Sequence, residues 1–157
     1  MSTKISTYTP EDLDAVHQLI TELHDDLKVL EPDIIASGAE VATSYTDYIL
    51  EKGETNRGII YLAKKDDQAI GLVAMRVEKD KDEEIEYLFI SDLIVTKNER
   101  NSGTGSKLLQ RAEEYAKETG IHHLKVAALT ENHGARNLYS KLGFRDYAVT
   151  LYKKLEY

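Results

Sequence analysis

An apolar segment followed by a polar turn and an amphipathic helix constrains the fold more than any other part of the chain. Residues 85–95 are long and largely apolar, which predicts a central strand. Residues 104–118 carry apolar side chains at helical spacing and predict a helix that Thr119 and Gly120 cap. A buried strand that runs directly into a helix is typical of α/β proteins, and we therefore expect an α/β fold.

The rest of the chain alternates in the same way between helical and extended patterns. An apolar stripe of helical period follows Thr9 and Pro10 and ends before Pro32, which predicts a first helix. A second helix is predicted over residues 38–52, with its end at Gly53. Strands are predicted over residues 4–8, 59–63, 69–75, 123–129 and 147–155, and a short helix over residues 134–142. No linker rich in proline, glycine or serine interrupts these elements, so residues 1–157 are expected to form one domain.

The charge balance excludes some partners. The chain carries 20 Lys+Arg against 28 Asp+Glu, a formal net charge of −8. Nucleic-acid binding requires a basic surface, so no nucleic-acid partner is expected. The acidic balance is better suited to a cationic partner.

The chain has no cysteine, which excludes disulfide scaffolds, thiolate metal sites and covalent cysteine mechanisms. His17 and His24 share a helical face but have no carboxylate at metal-ligand spacing, so no metal site is expected. No apolar run approaches the ~20 residues needed to cross a bilayer, and the first residues lack the apolar stretch of a secretory signal. These features lead us to expect a cytoplasmic protein with no membrane partner.

The turn between the predicted strand and helix has the features of a phosphate-binding loop. Gly103 and Gly105 allow backbone N–H groups to face a ligand at the positive end of a helix, and Arg100 adds a guanidinium suited to phosphate. The Walker pattern is excluded because Ser106 and Lys107 stand in the wrong order. The dinucleotide pattern is excluded because Leu108 occupies the position of its third glycine.

Two segments together resemble the GNAT superfamily of acyl-CoA-dependent N-acetyltransferases. Residues 100–105, Arg-Asn-Ser-Gly-Thr-Gly, match its Arg/Gln-x-x-Gly-x-Gly/Ala pattern. Residues 132–144 resemble its second signature, Asn-x-x-Ala-x-x-Leu-Tyr-x-Lys-x-Gly-Phe. The order of predicted elements agrees with the family over essentially the whole chain. The resemblance implies a mixed, twisted sheet flanked by helices, in which the strand ending near Val95 splays from the strand after Gly120 to admit acetyl-CoA.

The resemblance also implies a set of residues that bind acetyl-CoA. The main chain of Leu93, Ile94 and Val95 would run alongside the pantetheine arm. Asn132 would contact the cosubstrate from the second signature, and Arg100 would lie near the pyrophosphate. The pyrophosphate itself would be held by the N–H groups of Asn101, Ser102, Gly103, Thr104, Gly105 and Ser106.

Acetyl transfer needs a neutral amine and a protonated leaving thiolate. Deprotonating a lysine-like amine of reference pKa about 10.4 at pH 7 costs roughly 5 kcal/mol, which a general base would lower. Tyr139 matches the family tyrosine near the thioester sulfur and is the candidate acid. Ser91 stands where several amine-acetylating relatives carry glutamate, so Asp92 is the first candidate base, with Glu86 and Tyr87 as alternatives.

The acceptor is expected to be a primary amine that attacks bound acetyl-CoA directly, since no protein thiol can hold the acetyl group. Family position indicates His24, Asp25 and Tyr87 as candidate acceptor-binding residues. A small cationic amine such as a polyamine or an aminoglycoside is favoured. The alternatives are a protein or peptide amine, and an inactive CoA-binding regulatory module. Exposed edge strands make a homodimer plausible.

Overall fold

The computed structural model describes residues 2–82 and 84–157; Met1 and Glu83 lie outside the described residues. In chain order the elements are β1 (Lys4–Thr7), α1 (Leu13–Leu30), α2 (Gly38–Thr55), β2 (Ile59–Lys65), β3 (Gln68–Lys79), β4 (Glu86–Val95), α3 (Thr104–Thr119), β5 (Leu124–Val126) and α4 (His133–Lys141). Single turns of 3-10 helix at Pro10–Asp12 and Lys97–Glu99 precede α1 and α3.

The strands form one mixed sheet between two helical layers. Their order is β1-β2-β3-β4-β5, with antiparallel neighbours from β1 to β4 and β5 parallel to β4. Val16 and Ile20 of α1 pack with Ile49 of α2 on one face. On the other face the apolar side of α3 packs with Tyr139 of α4. The predicted mixed sheet flanked by helices is confirmed.

The first helix begins where Thr9 and Pro10 predict it. The N–H of Thr9 donates to Asp12 Oδ2 at 2.9 Å, and Lys64 of β2 donates to Asp12 Oδ1 at 2.7 Å. Asp12 therefore closes the helix start and links it to the sheet. None of the helices within residues 2–82 and 84–157 has the length and apolarity needed to span a membrane.

A β-bulge in β4 decides which side chains face which helical layer. Ala74 of β3 pairs with Asp92, but the next residue, Met75, pairs with Ile90, so Ser91 is the extra residue. Ile90 packs against α3, whereas Ala74, the partner of Asp92, packs with α1 and α2. The bulge therefore turns the Asp92 side chain toward the α1–α2 layer.

Three predicted boundaries were wrong. Gly53 lies inside α2, which ends at Thr55. The turn that ends it has Arg57 at positive φ and the N–H of Gly58 donating to the Gly53 carbonyl at 3.0 Å. The strand predicted over residues 123–129 contains only Leu124–Val126. The strand predicted over residues 147–155 is not formed, because alternating apolar residues predict an extended segment without supplying a partner strand.

Candidate active site

The parallel strands β4 and β5 separate before β4 ends. Their pairing covers only Leu88 to Ile90 of β4, so residues 91–95 have no partner on that side. The expected splay is therefore present. It leaves an open strand edge that an extended ligand can occupy.

Only part of this edge offers free main-chain groups. The N–H of Thr96 donates to Ile70 of β3 at 2.8 Å. Because hydrogen-bonding groups alternate between the two edges of a strand, Ile94 also faces β3, whereas Leu93 and Val95 face the gap. The Val95 carbonyl accepts Arg100 Nε at 2.7 Å. The N–H and carbonyl of Leu93 and the N–H of Val95 remain available, and Ile94 does not contribute its main chain.

The loop after β4 presents six consecutive backbone N–H groups. None of the N–H groups of residues 101–106 donates to another group in the described part of the chain. Asn101 and Gly103 both adopt positive φ, at 61° and 87°, and α3 begins at Thr104. Unpaired N–H groups at the start of a helix are suited to an anion, so anion binding by this loop stays a prediction.

The two glycines serve different purposes. At Gly103 a Cβ would meet no atom within 4 Å, so its positive φ is the reason that glycine stands there. At Gly105 a Cβ would lie 2.9 Å from Leu138 Cδ2. Gly105 therefore allows the first turn of α3 to approach α4 closely.

Arg100 is engaged by α1 rather than left free beside the loop. Its Nη2 donates to Asp26 Oδ2 at 2.6 Å and lies 3.4 Å from Glu22 Oε1. Glu22 also accepts the hydroxyl of Thr96 and the N–H of Lys97, each at 2.8 Å. These contacts hold the loop after β4 against α1.

Asn132 and Tyr139 lie at the two ends of α4. The Asn132 side chain caps the helix by accepting the N–H of Ala135 at 3.3 Å. Tyr139 is buried, with its ring 5.7 Å from that of Phe144. Burial and the nearby charge of Asp92 raise the pKa of Tyr139 to about 12. Its hydroxyl forms no hydrogen bond within residues 2–82 and 84–157.

Asp92 is a buried carboxylate held by two hydroxyl donors. Tyr45 of α2 donates to its Oδ1 at 2.9 Å, and Ser91 donates to its Oδ2 at 2.7 Å. Burial raises the pKa of Asp92, while these donors and the charges of His24 and Arg76 oppose the rise. A carboxyl group with a raised pKa is suited to general-base work. Ser91 therefore helps to position the carboxylate of the next residue, Asp92.

The alternative bases lie elsewhere. Glu86 forms an ion pair with Arg57. The Tyr87 hydroxyl donates to Asp80 at 3.0 Å, and the Lys125 ammonium lies 4.1 Å from the Tyr87 ring centroid. Tyr87 is five residues before Asp92 along β4, a separation of about 16 Å.

Of the residues predicted to bind the acceptor, only His24 reaches the Asp92 group. Its ring meets that of Tyr45 edge-on at 5.0 Å, and its buried Nδ1 has no hydrogen-bond partner among the described residues. Asp25 accepts the N–H of Gly38 at 2.8 Å, so it caps α2. Tyr45 of α2 belongs to the same group through its hydrogen bond to Asp92.

Arg76 of β3 lies beyond Tyr45, next to two further aromatic rings. Its guanidinium lies 5.0 Å from the Phe89 ring and 5.8 Å from the Tyr48 ring, and Glu78 accepts its Nε at 2.5 Å. The side of the sheet that carries Asp92 therefore combines aromatic rings with charges of both signs. Within residues 2–82 and 84–157 no cluster of three or more His, Asp or Glu side chains has metal-binding geometry.

Comparison with known proteins identifies the family. The family model described as the acetyltransferase (GNAT) family matches residues 18–144. The chain belongs to the GNAT acetyltransferase family. Both matched signatures, residues 100–105 and residues 132–144, fall within this region, and the resemblance inferred from the sequence is confirmed.

Individual relatives are more distant. The chain is 26% identical over 93 residues to the uncharacterized N-acetyltransferase YhfO of Bacillus subtilis, covering 59% of this chain and 62% of YhfO. It is 34% identical over 59 residues to the thialysine N-epsilon-acetyltransferase of Bos taurus, covering 38% and 35% of the two chains. The matches thus span less than two thirds of either relative. A solved predicted acetyltransferase from Clostridium acetobutylicum, described with acetyl-CoA, superposes with a TM-score of 0.76 at 18% identity, covering 98% and 96%.

Proposed function

We propose that residues 1–157 form a single N-acetyltransferase domain that transfers the acetyl group of acetyl-CoA to a primary amine. One observation carries the proposal: six unpaired N–H groups follow the unpaired edge of β4, the strand that carries the buried carboxylate of Asp92, and the charge of Asp92 is felt by the buried Tyr139. Membership of the GNAT family supports the same reaction. A cytoplasmic location stays a prediction of the sequence.

The residues present fit acetyl-CoA as cosubstrate. The N–H groups of residues 101–106 would hold the pyrophosphate at the start of α3. Leu93 and Val95 would pair with the amides of the pantetheine arm as an added strand does. Arg100 would hold the loop in position through its ion pairs with α1. Asn132 would hold the start of α4 in position through its cap. When bound, acetyl-CoA supplies the activated thioester carbonyl.

Asp92 would accept the amine proton, and Tyr139 would stabilise the leaving thiolate. The amine nitrogen forms a bond to the acetyl carbon as the carbon–sulfur bond breaks, and the amine proton passes to Asp92 directly or through water. Tyr45 and Ser91 hold the carboxylate in position for this transfer. Tyr139 would donate to the departing thiolate sulfur. The absence of cysteine leaves direct attack in a ternary complex as the route.

A small cationic amine such as a polyamine or aminoglycoside remains the favoured acceptor. The net charge of −8 would attract a cation toward the protein. The carboxylate of Asp92 and the rings of Tyr45 and Tyr48 would attract an ammonium group. Arg76 adds a positive charge that would bind an acceptor also carrying a carboxylate.

A thiol-release assay tests the function. Polyamines, aminoglycosides, amino acids and peptides are supplied with acetyl-CoA, and the chain itself adds no thiol background because it has no cysteine. We expect release with at least one amine and its loss in Asp92→Asn. Asp14→Asn is the matched control, because Asp14 is an exposed carboxylate of α1 with no role assigned in the site. Saturating acetyl-CoA that raises the melting temperature without thiol release would support the regulatory module instead, and no rise at all would refute acetyl-CoA binding.

A further inference from the structure

Glu22 of α1 contacts both ends of the single 3-10 turn that follows β4. Its Oε2 accepts the hydroxyl of Thr96, and its Oε1 accepts the N–H of Lys97, each at 2.8 Å. The same Oε1 lies 3.4 Å from Nη2 of Arg100, the residue after the turn. One carboxylate of a distant helix therefore holds the turn at its start and at its end.

The turn needs this carboxylate because it has no cap of its own. Thr96 occupies the N-cap position of the turn, but its hydroxyl donates to Glu22 and makes no capping bond within the turn. N–H groups at the start of a helical turn require an acceptor from outside the backbone of the turn. Glu22 supplies that acceptor to Lys97, so α1 sets the orientation of the turn.

This turn separates the two features proposed to bind acetyl-CoA. The free main-chain groups of Leu93 and Val95 lie before it, and the unpaired N–H groups of residues 101–106 lie after it. A ligand that bridges two features binds more tightly when their relative position is already correct. Arg100 closes the turn against β4, because its Nε donates to the Val95 carbonyl at 2.7 Å. Glu22 and Arg100 together therefore fix the loop relative to the strand edge.

The charge of Glu22 by itself would oppose the binding of an anion. Glu22 and Asp26 place two carboxylates around the single guanidinium of Arg100, directly before the loop. A pyrophosphate is an anion, so a nearby negative charge weakens its binding. Losing the charge of Glu22 and losing its hydrogen bonds therefore predict changes of opposite sign in the affinity for acetyl-CoA.

We propose that Glu22 is a positioning residue that sets the affinity for acetyl-CoA by holding the turn after β4 in its binding orientation. This role rests on the proposed function, in which the edge of β4 and the following loop bind acetyl-CoA. The hydrogen bonds to Asp92 come from Tyr45 and Ser91 and do not involve Glu22. The chemical step should therefore be unaffected once acetyl-CoA is bound.

Isothermal titration and steady-state kinetics of the full chain with acetyl-CoA test this role. Glu22→Gln keeps the size of the side chain, but its amide nitrogen cannot accept a second hydrogen bond. Kd and KM for acetyl-CoA should rise about tenfold, as expected for a lost hydrogen bond to a charged group. The value of kcat at saturating acetyl-CoA should stay within about twofold of the wild-type value.

A second variant separates the hydrogen bond from the charge. Thr96→Val removes the hydroxyl that donates to Glu22 and leaves every charge in place. Kd should again rise, by about three- to tenfold. The control Asp14→Asn removes the same charge as Glu22→Gln from an exposed position of α1, and it should leave Kd, KM and kcat unchanged.

The outcomes distinguish this role from the proposed function itself. Tighter binding by Glu22→Gln, an unchanged Kd in either variant, or a fall in kcat as large as the rise in KM would overturn the role of Glu22 alone. A wild-type chain that does not bind acetyl-CoA would refute the proposed function and this role with it. Circular dichroism checks that the variants are folded, and Thr96→Val decides alone if Glu22→Gln is not.

Discussion

Replacing Tyr139 by phenylalanine tests how the leaving group is stabilised. Burial raises the pKa of Tyr139 to about 12, whereas a thiol has a pKa of about 8.5. Full proton transfer from this tyrosine to a thiolate would thus be uphill by about 3.5 pKa units, or about 5 kcal/mol. We therefore expect Tyr139 to act as a hydrogen-bond donor to the developing charge, with its proton largely retained in the transition state.

The size of the expected effect follows from that role. Removing one donor from a developing anion costs about 10²–10³-fold in kcat. Tyr139→Phe keeps the ring packed against Phe144, and the lost hydroxyl has no protein partner among the described residues, so the stability should change by less than about 1 kcal/mol. Because its pKa is about 12, Tyr139 stays protonated, and the wild-type rate should show no loss near pH 10 from this group.

The assay is thiol release at saturating acetyl-CoA over about pH 6 to 10, with urea unfolding beside it. Tyr115→Phe is the matched control, because it removes a tyrosine hydroxyl that donates to the Arg57 carbonyl at 2.6 Å, outside the site. An unchanged kcat in Tyr139→Phe would refute the role of the hydroxyl. An equal loss in both variants would attribute the effect to general destabilisation.

Three further predictions concern the loop and the carboxylate. Gly103→Ala should lower stability by about 1–2 kcal/mol and weaken the thermal shift given by acetyl-CoA, because alanine rarely adopts a φ of 87°. The control Gly134→Ala, within α4, should instead stabilise the protein by up to about 1 kcal/mol. Equal effects of the two substitutions would contradict this reasoning. Burial raises the pKa of Asp92, so the folded state binds the carboxyl proton more tightly than the unfolded state does. The free energy of unfolding should therefore fall as the pH rises from the ordinary carboxyl pKa through the raised one. Asp92→Asn should flatten this dependence of stability on pH in urea titrations, and equal dependence in both proteins would disprove it. Tyr45→Phe removes a donor to the Asp92 carboxylate and should move the acidic limb of kcat/KM to higher pH, whereas Tyr48→Phe should leave it in place.

The conformation of the loop after β4 was predictable because its determinants are local. Gly103 is needed for its own φ, and the start of α3 follows from the residues beside it. The partners of Arg100 were not predictable, because Glu22 and Asp26 lie in α1, far away in sequence, and only the folded chain brings them to the loop.

The bulge at Ser91 could not be predicted from the sequence, for a different reason. Burial alternates without interruption through Leu88, Ile90, Asp92 and Ile94, so the sequence pattern shows no break. The side chains nevertheless change layers between Ile90 and Asp92. The strand predicted from the alternation in residues 147–155 was wrong, because alternation alone does not supply a partner strand.

Because of that one extra residue in β4, the sheet separates the Asp92 carboxyl group from the Tyr139 hydroxyl. Asp92 belongs to the α1–α2 side, whereas Tyr139 packs with α3 on the opposite side. The proposed base and the proposed donor therefore lie on opposite faces of the sheet and have different neighbours. Deleting Ser91 would be expected to turn the Asp92 carboxylate toward the face of the sheet that packs against α3 and Tyr139. The α1–α2 face would then have no base for the acceptor.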